Sequence, residues 1–235
     1  LFFFLFSCNS NAITKKDYEL IVINVYDGDT IELSSGEKLR YLGIDSPELH
    51  KKDNEKWIDI KEAYAKEAYE FNKHLVLGKS VKIFFDKEKR DRYGRLLGYV
   101  FVDDIFINEE MLKEGFAFPY IIQTNGTYND RLIKAFKEAY TTGKNLYSKK
   151  IAIKNIDDYL GRTGWYDGYI RNIIWGEKKV DIITDHLIIE TLKRPIKKFN
   201  PSIGSKIYAY GELGRKRGRF ILKIKKQSHI FIENK

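Results

Sequence analysis

Short runs of β-branched and aromatic residues, separated by tight-turn residues, make up the beginning of the chain. The stretch YELIVINVYDGDTIELSSGEKLRYLGID contains three such runs, broken by Asp-Gly and by Ser-Ser-Gly. Turns this short join strands as hairpins rather than as crossovers. The later runs VKIFF and LLGYVFV flank the polar, turn-like DKEKRDRYGR. The pattern therefore predicts an antiparallel meander of five strands.

Three helical segments accompany these strands. The first carries apolar residues three or four positions apart, at Ile60, Tyr64, Ala68, Phe71 and Leu75. Gly78 stands where this helix is expected to end, and Gly115 ends a short second helix that has Asn108 as its expected N-cap. A third amphipathic helix is predicted over 129–142. The simplest architecture that these elements permit is a mainly β fold with α, in which a closed five-stranded barrel is packed by three helices.

Charge is distributed unevenly along the chain. The net charge is +9. The 235 residues are 43% hydrophobic, which is too apolar for a disordered chain and enough for one large or two small cored domains, of which two are favoured. Residues 1–150 contain 24 basic and 24 acidic side chains, whereas 151–235 contain 18 basic and 9 acidic ones. A basic module beside a charge-balanced one predicts a polyanionic partner, either a nucleic acid or an anionic membrane surface. A merely solvated lysine-rich face is the alternative.

Four carboxylates follow the ends of two predicted strands, at Asp27, Asp29, Asp45 and Glu48. A hairpin that pairs those strand ends would bring the carboxylates together, where they repel one another unless a cation lies among them. The chain has one cysteine and no His pair at metal-binding spacing, so an all-oxygen site for a hard ion such as Ca²⁺ is expected. Arg40 and Arg95 add guanidinium groups suited to phosphate. Taken singly, Asp-Gly-Asp is more often a turn than a ligand; together these residues predict phosphodiester cleavage.

Four segments resemble, in sequence and in order, the staphylococcal nuclease (thermonuclease) family. They are YDGDTIEL, LRYLGIDSPE, FDKEKRDRYGRLLGYVFVDDIFINEEMLKEGFA and YNDRLIKAFKEAYTTGKNLYS. The resemblance covers residues 18–148. It implies an OB-fold barrel with three helices that hydrolyses DNA and RNA phosphodiesters with Ca²⁺, endonucleolytically.

The resemblance also implies which residues hold the ion. Asp29 and Asp45 match the carboxylate ligands, and Asp27 lies behind them. Ser46 stands where the family usually has threonine. Because the ligand at that position is the backbone carbonyl, the replacement is expected to be harmless.

The same resemblance assigns the catalytic and substrate-binding positions. Glu48 is the expected general base, or at least the residue that orients the attacking water. Arg40 and Arg95 are the expected catalytic arginines on the scissile phosphate. Three further positions match residues that contact the nucleotide, one of them with arginine in place of a family lysine: Arg92, Tyr93 and Tyr120.

The first 17 residues resemble the end of an export signal. The chain opens LFFFLFSCNSNAITKKD, in which LFSC followed by a polar stretch resembles the bacterial lipobox, with Phe6 unusual for that motif. We therefore expect a lipoprotein lipidated on Cys8, attached to the membrane outside the cytoplasm. A cleaved secretory signal and a packed N-terminal strand are the alternatives.

Residues 158–235, after a linker at 149–157, read as a second small barrel. Their short Ile-, Tyr- and Val-rich runs are punctuated by glycine, and the ending resembles the closing strands of OB-fold nucleic-acid binding domains. A basic patch falls in an expected hairpin loop near Trp165, Tyr208 and Tyr210, and consists of Arg215, Lys216, Arg217 and Arg219. Interleaved cations and aromatic rings suit a single-stranded nucleic acid. A face that binds anionic lipid is the competing interpretation.

Two functional classes follow from the sequence. The first is a monomeric, secreted or surface-anchored Ca²⁺-dependent nuclease for DNA, RNA or both. The second is a non-catalytic surface protein that binds nucleic acid through the same barrel. All five charged positions of the expected site are present, which favours the enzyme.

Overall fold

The computed structural model describes residues 19–53, 56–59, 62–121 and 126–233. The described strands up to residue 120 are β1 (Glu19–Val25), β2 (Thr30–Leu33), β3 (Lys38–Tyr41), β4 (Gly43–Asp45), β5 (His50–Asp53), β6 (Lys56–Asp59), β7 (Ser80–Phe84), β8 (Leu96–Val102), β9 (Ile105–Phe106) and β10 (Phe118–Tyr120). The later strands are β11 (Thr163–Tyr169), β12 (Asn172–Trp175), β13 (Lys179–Ile183), β14 (Ile188–Leu192), β15 (Lys206–Lys216), β16 (Arg219–Lys223) and β17 (Ile230–Glu233). The helices are α1 (Ala65–Val76), α2 (Ile107–Lys113), α3 (Asn129–Thr142) and α4 (Lys193–Ile196).

The first barrel closes through one parallel pairing. Strands β3, β2, β1, β7 and β8 are neighbours in that order, each antiparallel to the next. Strand β8 then pairs in parallel with β3, where Arg40 lies opposite Leu97. The predicted five-stranded barrel is therefore confirmed, with β9 added beside β8.

Three helices pack on the barrel, and α2 and α3 lie where the sequence predicted them, whereas α1 is shorter than predicted because Tyr64 has positive φ and precedes it. In α1, the buried residues Ala65, Ala68, Asn72 and Val76 recur at helical spacing on one face. Helix α1 begins at Ala65, and Ile60 lies outside the described residues. Gly78, Gly115 and Gly143 follow the three helices with positive φ, a backbone conformation in which glycine ends helices without strain.

The predicted N-cap role of Asn108 is wrong. Helix α2 begins one residue earlier, and Asn108 is fully buried inside it. Its side-chain Oδ1 accepts a hydrogen bond from the backbone N–H of Val100 at 2.9 Å, and its Nδ2 donates to the carbonyl of Leu42 at 2.8 Å. Satisfying two buried backbone groups outweighs capping, because an unpaired polar group in the core is costly.

The second sheet is curled, as expected for an OB-like fold. Within the described residues its strands follow the order β11, β15, β16, β14, β13 and β12, and β17 also pairs with β15. The long strand β15 is central, because its first half pairs with β11 and β17 and its last residues pair with β16. We call the described residues up to 148 the first lobe and those from 149 onward the second lobe.

A cluster of aromatic side chains joins the two lobes. Trp165 is 1% exposed, and its indole N–H donates to the carbonyl of Leu146 at 2.9 Å. Tyr208 and Phe231 of the second lobe pack against Phe136 of α3. Trp165 and Tyr208 are therefore core residues of the first lobe as much as of the second. The prediction that they stack on nucleic-acid bases beside the basic patch is wrong. The predicted domain limits, with a linker at 149–157, stay a prediction.

The expected export segment lies outside the described residues. Cys8 belongs to that segment, so its lipidation stays a prediction from the sequence. Among the helices that the structure does describe, none combines the length and apolarity that a bilayer crossing requires.

Acid is expected to weaken the lobe interface through His229. This ring packs on Phe118 and Tyr210, and burial, followed by nearby Lys226, lowers its pKa from 6.5 to about 4. The unfolded chain binds a proton at His229 more readily than the folded protein does. The free energy of unfolding is therefore unaffected by His229 above pH 6.5 and falls as the pH drops toward 4. The loss amounts to about 3 kcal/mol. Urea unfolding at several pH values gives the free energy of unfolding as a function of pH, and the slope of this function should be shallower for His229→Gln than for the wild type. The exposed control His74→Gln should keep the wild-type slope, and equal slopes in all three proteins would contradict the prediction.

Candidate active site

The turn after β1 brings two aspartates against the end of β4. Gly28 lies so close to its neighbours that an added Cβ would stand 2.7 Å from Cβ of Ser46 and 2.9 Å from that of Ala68. The side chain of Asp27 accepts a hydrogen bond from the backbone N–H of Asp29 at 2.9 Å, which fixes the turn. Asp29 is 1% exposed and accepts the backbone N–H of Ser46 at 2.7 Å. The missing side chain of Gly28 thus permits the contact between the two predicted ligand segments.

Arg40 bridges the two carboxylates predicted to bind metal. It lies on β3 opposite Thr30, and its Nη1 is 2.6 Å from Oδ1 of Asp29. Its Nη2 contacts Oδ1 of Asp45, the last residue of β4. Burial alone would lower the pKa of Arg40, but the adjacent carboxylates overcome that effect and raise it. The guanidinium group is therefore permanently charged at this position.

Four carboxylates, those of Asp27, Asp29, Asp45 and Glu48, share this site with Arg40. Burial raises the pKa of Asp27 well above its usual value, and the Asp29 carboxylate raises it further. Burial also raises the pKa of Glu48, again with a contribution from Asp29. Clustered carboxylates of this kind are stabilised by an additional cation.

A short loop before β8 holds the second predicted catalytic arginine. Asp91 accepts the backbone N–H groups of Tyr93 at 2.9 Å and Arg95 at 3.0 Å. The other oxygen of Asp91 accepts Nε of Arg95 at 2.8 Å. Because one carboxylate fixes both the loop and the guanidinium group, Arg95 is held in a defined direction.

These groups surround one cleft of about 730 Å³. Two predicted ligand residues, Asp29 and Ser46, are buried beneath it. The predicted site residues that line it are Asp27, Arg40, Asp45, Glu48, Arg92, Tyr93, Arg95 and Tyr120. The fold therefore brings together the residues that the sequence analysis selected in the first lobe.

The expected nucleotide-binding residues lie at the rim of the cleft. Arg92 donates to the hydroxyl of Tyr93 at 2.6 Å and covers its ring at 4.7 Å. Tyr93 is 68% exposed, so its ring is accessible to a base or a phosphate. Tyr120 lies at the end of β10, opposite Gly43 of β4, and lines the same cleft as Asp45.

Sequence reasoning missed the part of the cleft that comes from the second lobe. Lys198, Lys226, Gln227 and Ser228 line the same cleft as Arg40 and Glu48. Ser228 donates to Oδ2 of Asp45 at 2.6 Å across a separation of 183 residues. The polar run KKQSH before the last strand shows no spacing or motif that would connect it with this site.

The basic patch forms a hairpin, although its turn is shorter than expected. Arg215 and Lys216 end β15 and Arg219 begins β16, so the turn consists of Arg217 and Gly218, both with positive φ. Arg215 pairs with Asp157 at 2.5 Å and Lys216 lies 4.0 Å from Glu190. These acidic partners reduce the local positive charge. Binding of nucleic acid by the patch, or of anionic lipid, stays a prediction.

The donor chemistry of the carboxylate cluster suits a hard divalent cation. Calcium prefers carboxylate and carbonyl oxygens, which Asp29, Asp45 and the backbone of Ser46 supply. In the described part of the chain, no group of three or more His, Cys, Asp or Glu residues is arranged as a metal site. Arg40 lies between the two aspartates instead. The fit therefore rests on the oxygen donors and on the clustering of carboxylates around Arg40.

A family model and individual relatives point to the same protein family. A family model described as staphylococcal nuclease homologue matches residues 38–149. The thermonuclease of Staphylococcus hyicus is 36% identical over 143 residues, which are 60% of this chain and 79% of that protein. Endonuclease YncB of Bacillus subtilis (strain 168) is 35% identical over 146 residues, covering 60% of this chain and 67% of the relative. The SPbeta prophage-derived endonuclease YokF of the same strain is 38% identical over 140 residues, covering 57% and 46%. The barrel with three helices and the similarity to these relatives agree with each other, and the chain belongs to the staphylococcal nuclease family.

Proposed function

We propose that the protein is a Ca²⁺-dependent nuclease that hydrolyses phosphodiester bonds within DNA, RNA or both. The nuclease class follows from membership of the family. The observation that carries the finer proposal is the convergence of Arg40, Glu48 and Arg95 on one cleft above Asp29 and Asp45. The non-catalytic alternative would not need two fixed arginines beside a carboxylate cluster.

The two arginines supply the charge that phosphodiester cleavage requires. Negative charge grows on the phosphate oxygens in the transition state, and fixed cations stabilise it without reorganisation. Arg95 is held by Asp91 at 2.7 Å, and Arg40 by Asp29 and Asp45, so both are oriented before the substrate enters. Their planar forks can each contact two oxygens.

Glu48 is the proposed acceptor of the proton from the attacking water. It lines the cleft with Arg40 and Arg95, and its backbone N–H donates to Glu62 at 2.9 Å. A Ca²⁺ ion bound by Asp29, Asp45 and the Ser46 carbonyl would polarise a phosphate oxygen. Tyr93 and Tyr120 are proposed to hold the neighbouring nucleotide.

Location outside the cytoplasm, lipid attachment through Cys8 and a monomeric state remain proposals from the sequence. The location and the lipid attachment rest on the resemblance of the first 17 residues to an export signal.

Removal of the metal should abolish cleavage. We expect the protein to degrade single- and double-stranded DNA and RNA with Ca²⁺, to act much more slowly with Mg²⁺, and to be inactive with a chelator. Gel analysis of long circular substrates distinguishes internal cleavage from digestion at ends. Salt-sensitive binding without cleavage under every ion would reject the enzyme and favour the non-catalytic alternative.

A further inference from the structure

Three consecutive residues of the second lobe each contact a different part of the proposed active site. Ser228 is 3% exposed, and its hydroxyl donates to Oδ2 of Asp45 at 2.6 Å. Gln227 accepts a hydrogen bond from the hydroxyl of Tyr120 at 3.3 Å. The ammonium group of Lys226 lies 2.8 Å from Oε2 of Glu62. We call Lys226–Ser228 the positioning segment.

The contact made by Lys226 extends to the proposed general base. The oxygen of Glu62 that pairs with Lys226 also accepts the backbone N–H of Glu48 at 2.9 Å. Lys226 therefore holds the carboxylate that in turn holds the backbone of Glu48. The second lobe therefore contacts both proposed functional groups. Ser228 holds Asp45, a proposed cation ligand, and Lys226 acts through Glu62 on Glu48, the proposed proton acceptor.

The positioning segment is itself firmly placed. The backbone N–H of His229 donates to the carbonyl of Lys226 at 3.2 Å. The His229 ring lies 4.6 Å from that of Phe118 in the first lobe. Strand β17 follows directly and pairs with β15. A segment anchored on both sides can fix the direction of the side chains that it touches.

We propose that the positioning segment sets the geometry of the catalytic cleft, so that the second lobe is part of the active site. The inference rests on the proposed function. Both oxygens of Asp45 have a partner, since Oδ1 contacts Arg40 and Oδ2 accepts Ser228. A carboxylate held at both oxygens cannot rotate, and such outer partners commonly change metal affinity or activity by 10- to 100-fold when removed.

The test compares three single variants. Ser228→Ala removes the hydrogen bond to Asp45, and Lys226→Met removes the ion pair with Glu62 but keeps most of the aliphatic stem. Ser202→Ala is the matched control, because Ser202 is an exposed second-lobe serine that contacts Ser205 and does not line the cleft. The measurements are kcat, KM, the Ca²⁺ concentration for half-maximal activity, and the melting temperature during titration with Ca²⁺ alone.

Ser228→Ala should lower kcat about tenfold and raise the half-maximal Ca²⁺ concentration about tenfold, with KM changed less than about twofold. Its melting temperature should rise less with Ca²⁺ than that of the wild type, because a weaker ligand stabilises less at equal concentration. Lys226→Met should lower kcat without changing the Ca²⁺ requirement. Ser202→Ala should match the wild type in all four measurements.

Two results would overturn the inference. One is a Ser228→Ala protein whose kcat, Ca²⁺ requirement and Ca²⁺-dependent melting shift equal those of the wild type. The other is a loss of activity that is matched by Ser202→Ala or explained by a melting temperature lowered in the absence of Ca²⁺. Failure of the proposed function gives a different outcome, in which the wild type itself cleaves nothing. The melting shift then still reports whether Ser228 supports cation binding.

Discussion

Glu48→Gln is expected to lower kcat by about 10²- to 10⁴-fold, since this is the usual contribution of a general base. The substitution keeps the size of the side chain and removes the proton acceptor. It should leave the melting temperature at pH 7 unchanged or slightly higher. Burial and the Asp29 carboxylate raise the pKa of Glu48, which means that ionised Glu48 is destabilised in the folded protein. The uncharged glutamine amide of the variant does not carry this destabilisation.

The combination of lost activity and retained stability separates a chemical role from a structural one. Single-turnover kinetics with excess enzyme, together with thermal melts, provide both measurements. Glu70→Gln on α1 is the matched control, because Glu70 is exposed and should leave kcat unaltered. A Glu48→Gln enzyme with kcat within about threefold of the wild type would reject Glu48 as the base.

The strands next to the carboxylate cluster could be predicted because β1, β2 and β3 pair as hairpins with short turns. The pairs that close the barrel, β1 with β7 and β3 with β8, join distant parts of the chain. The β2–β3 hairpin places Arg40 opposite Thr30 and so beside Asp29, and Arg40 also reaches Asp45 at the end of β4. Asn108 shows where this reasoning fails. An asparagine before two glutamates has the local pattern of an N-cap, but its partners, Leu42 and Val100, are set by tertiary packing.

The contribution of the second lobe could not be predicted for the same reason. Trp165 and Tyr208 lie in a basic region, a composition typical of nucleic-acid surfaces. The structure buries both rings against α3 instead, since large aromatic side chains stabilise most when removed from water. The docking that results places Lys226 and Ser228 in the cleft. The sequence alone does not show how the two lobes dock, so it does not indicate the contacts of Lys226 and Ser228 in the cleft.

Trp165→Ala is expected to have the largest effect on stability. Trp165 is 1% exposed and its ring lies 5.1 Å from Tyr147, 5.6 Å from Tyr140 and 6.0 Å from Phe136. Truncation of a buried tryptophan costs about 3 to 5 kcal/mol, which combines lost burial with the cavity left behind. It also leaves the carbonyl of Leu146 without the indole donor. Urea unfolding monitored by circular dichroism measures the loss directly.

Trp175→Ala provides the comparison, because Trp175 on β12 is 43% exposed and should change stability by less than about 1 kcal/mol. Trp165→Phe should give an intermediate loss, since it keeps a ring in the cluster but has no N–H for Leu146. If the two lobes fold independently and merely touch, Trp165→Ala will instead resemble Trp175→Ala. If they share one core, the truncation will lower stability and will also lower the rate of cleavage, because the docked second lobe carries Ser228 to Asp45. Coincident losses of stability and activity in Trp165→Ala, with neither in Trp175→Ala, are therefore the expected result.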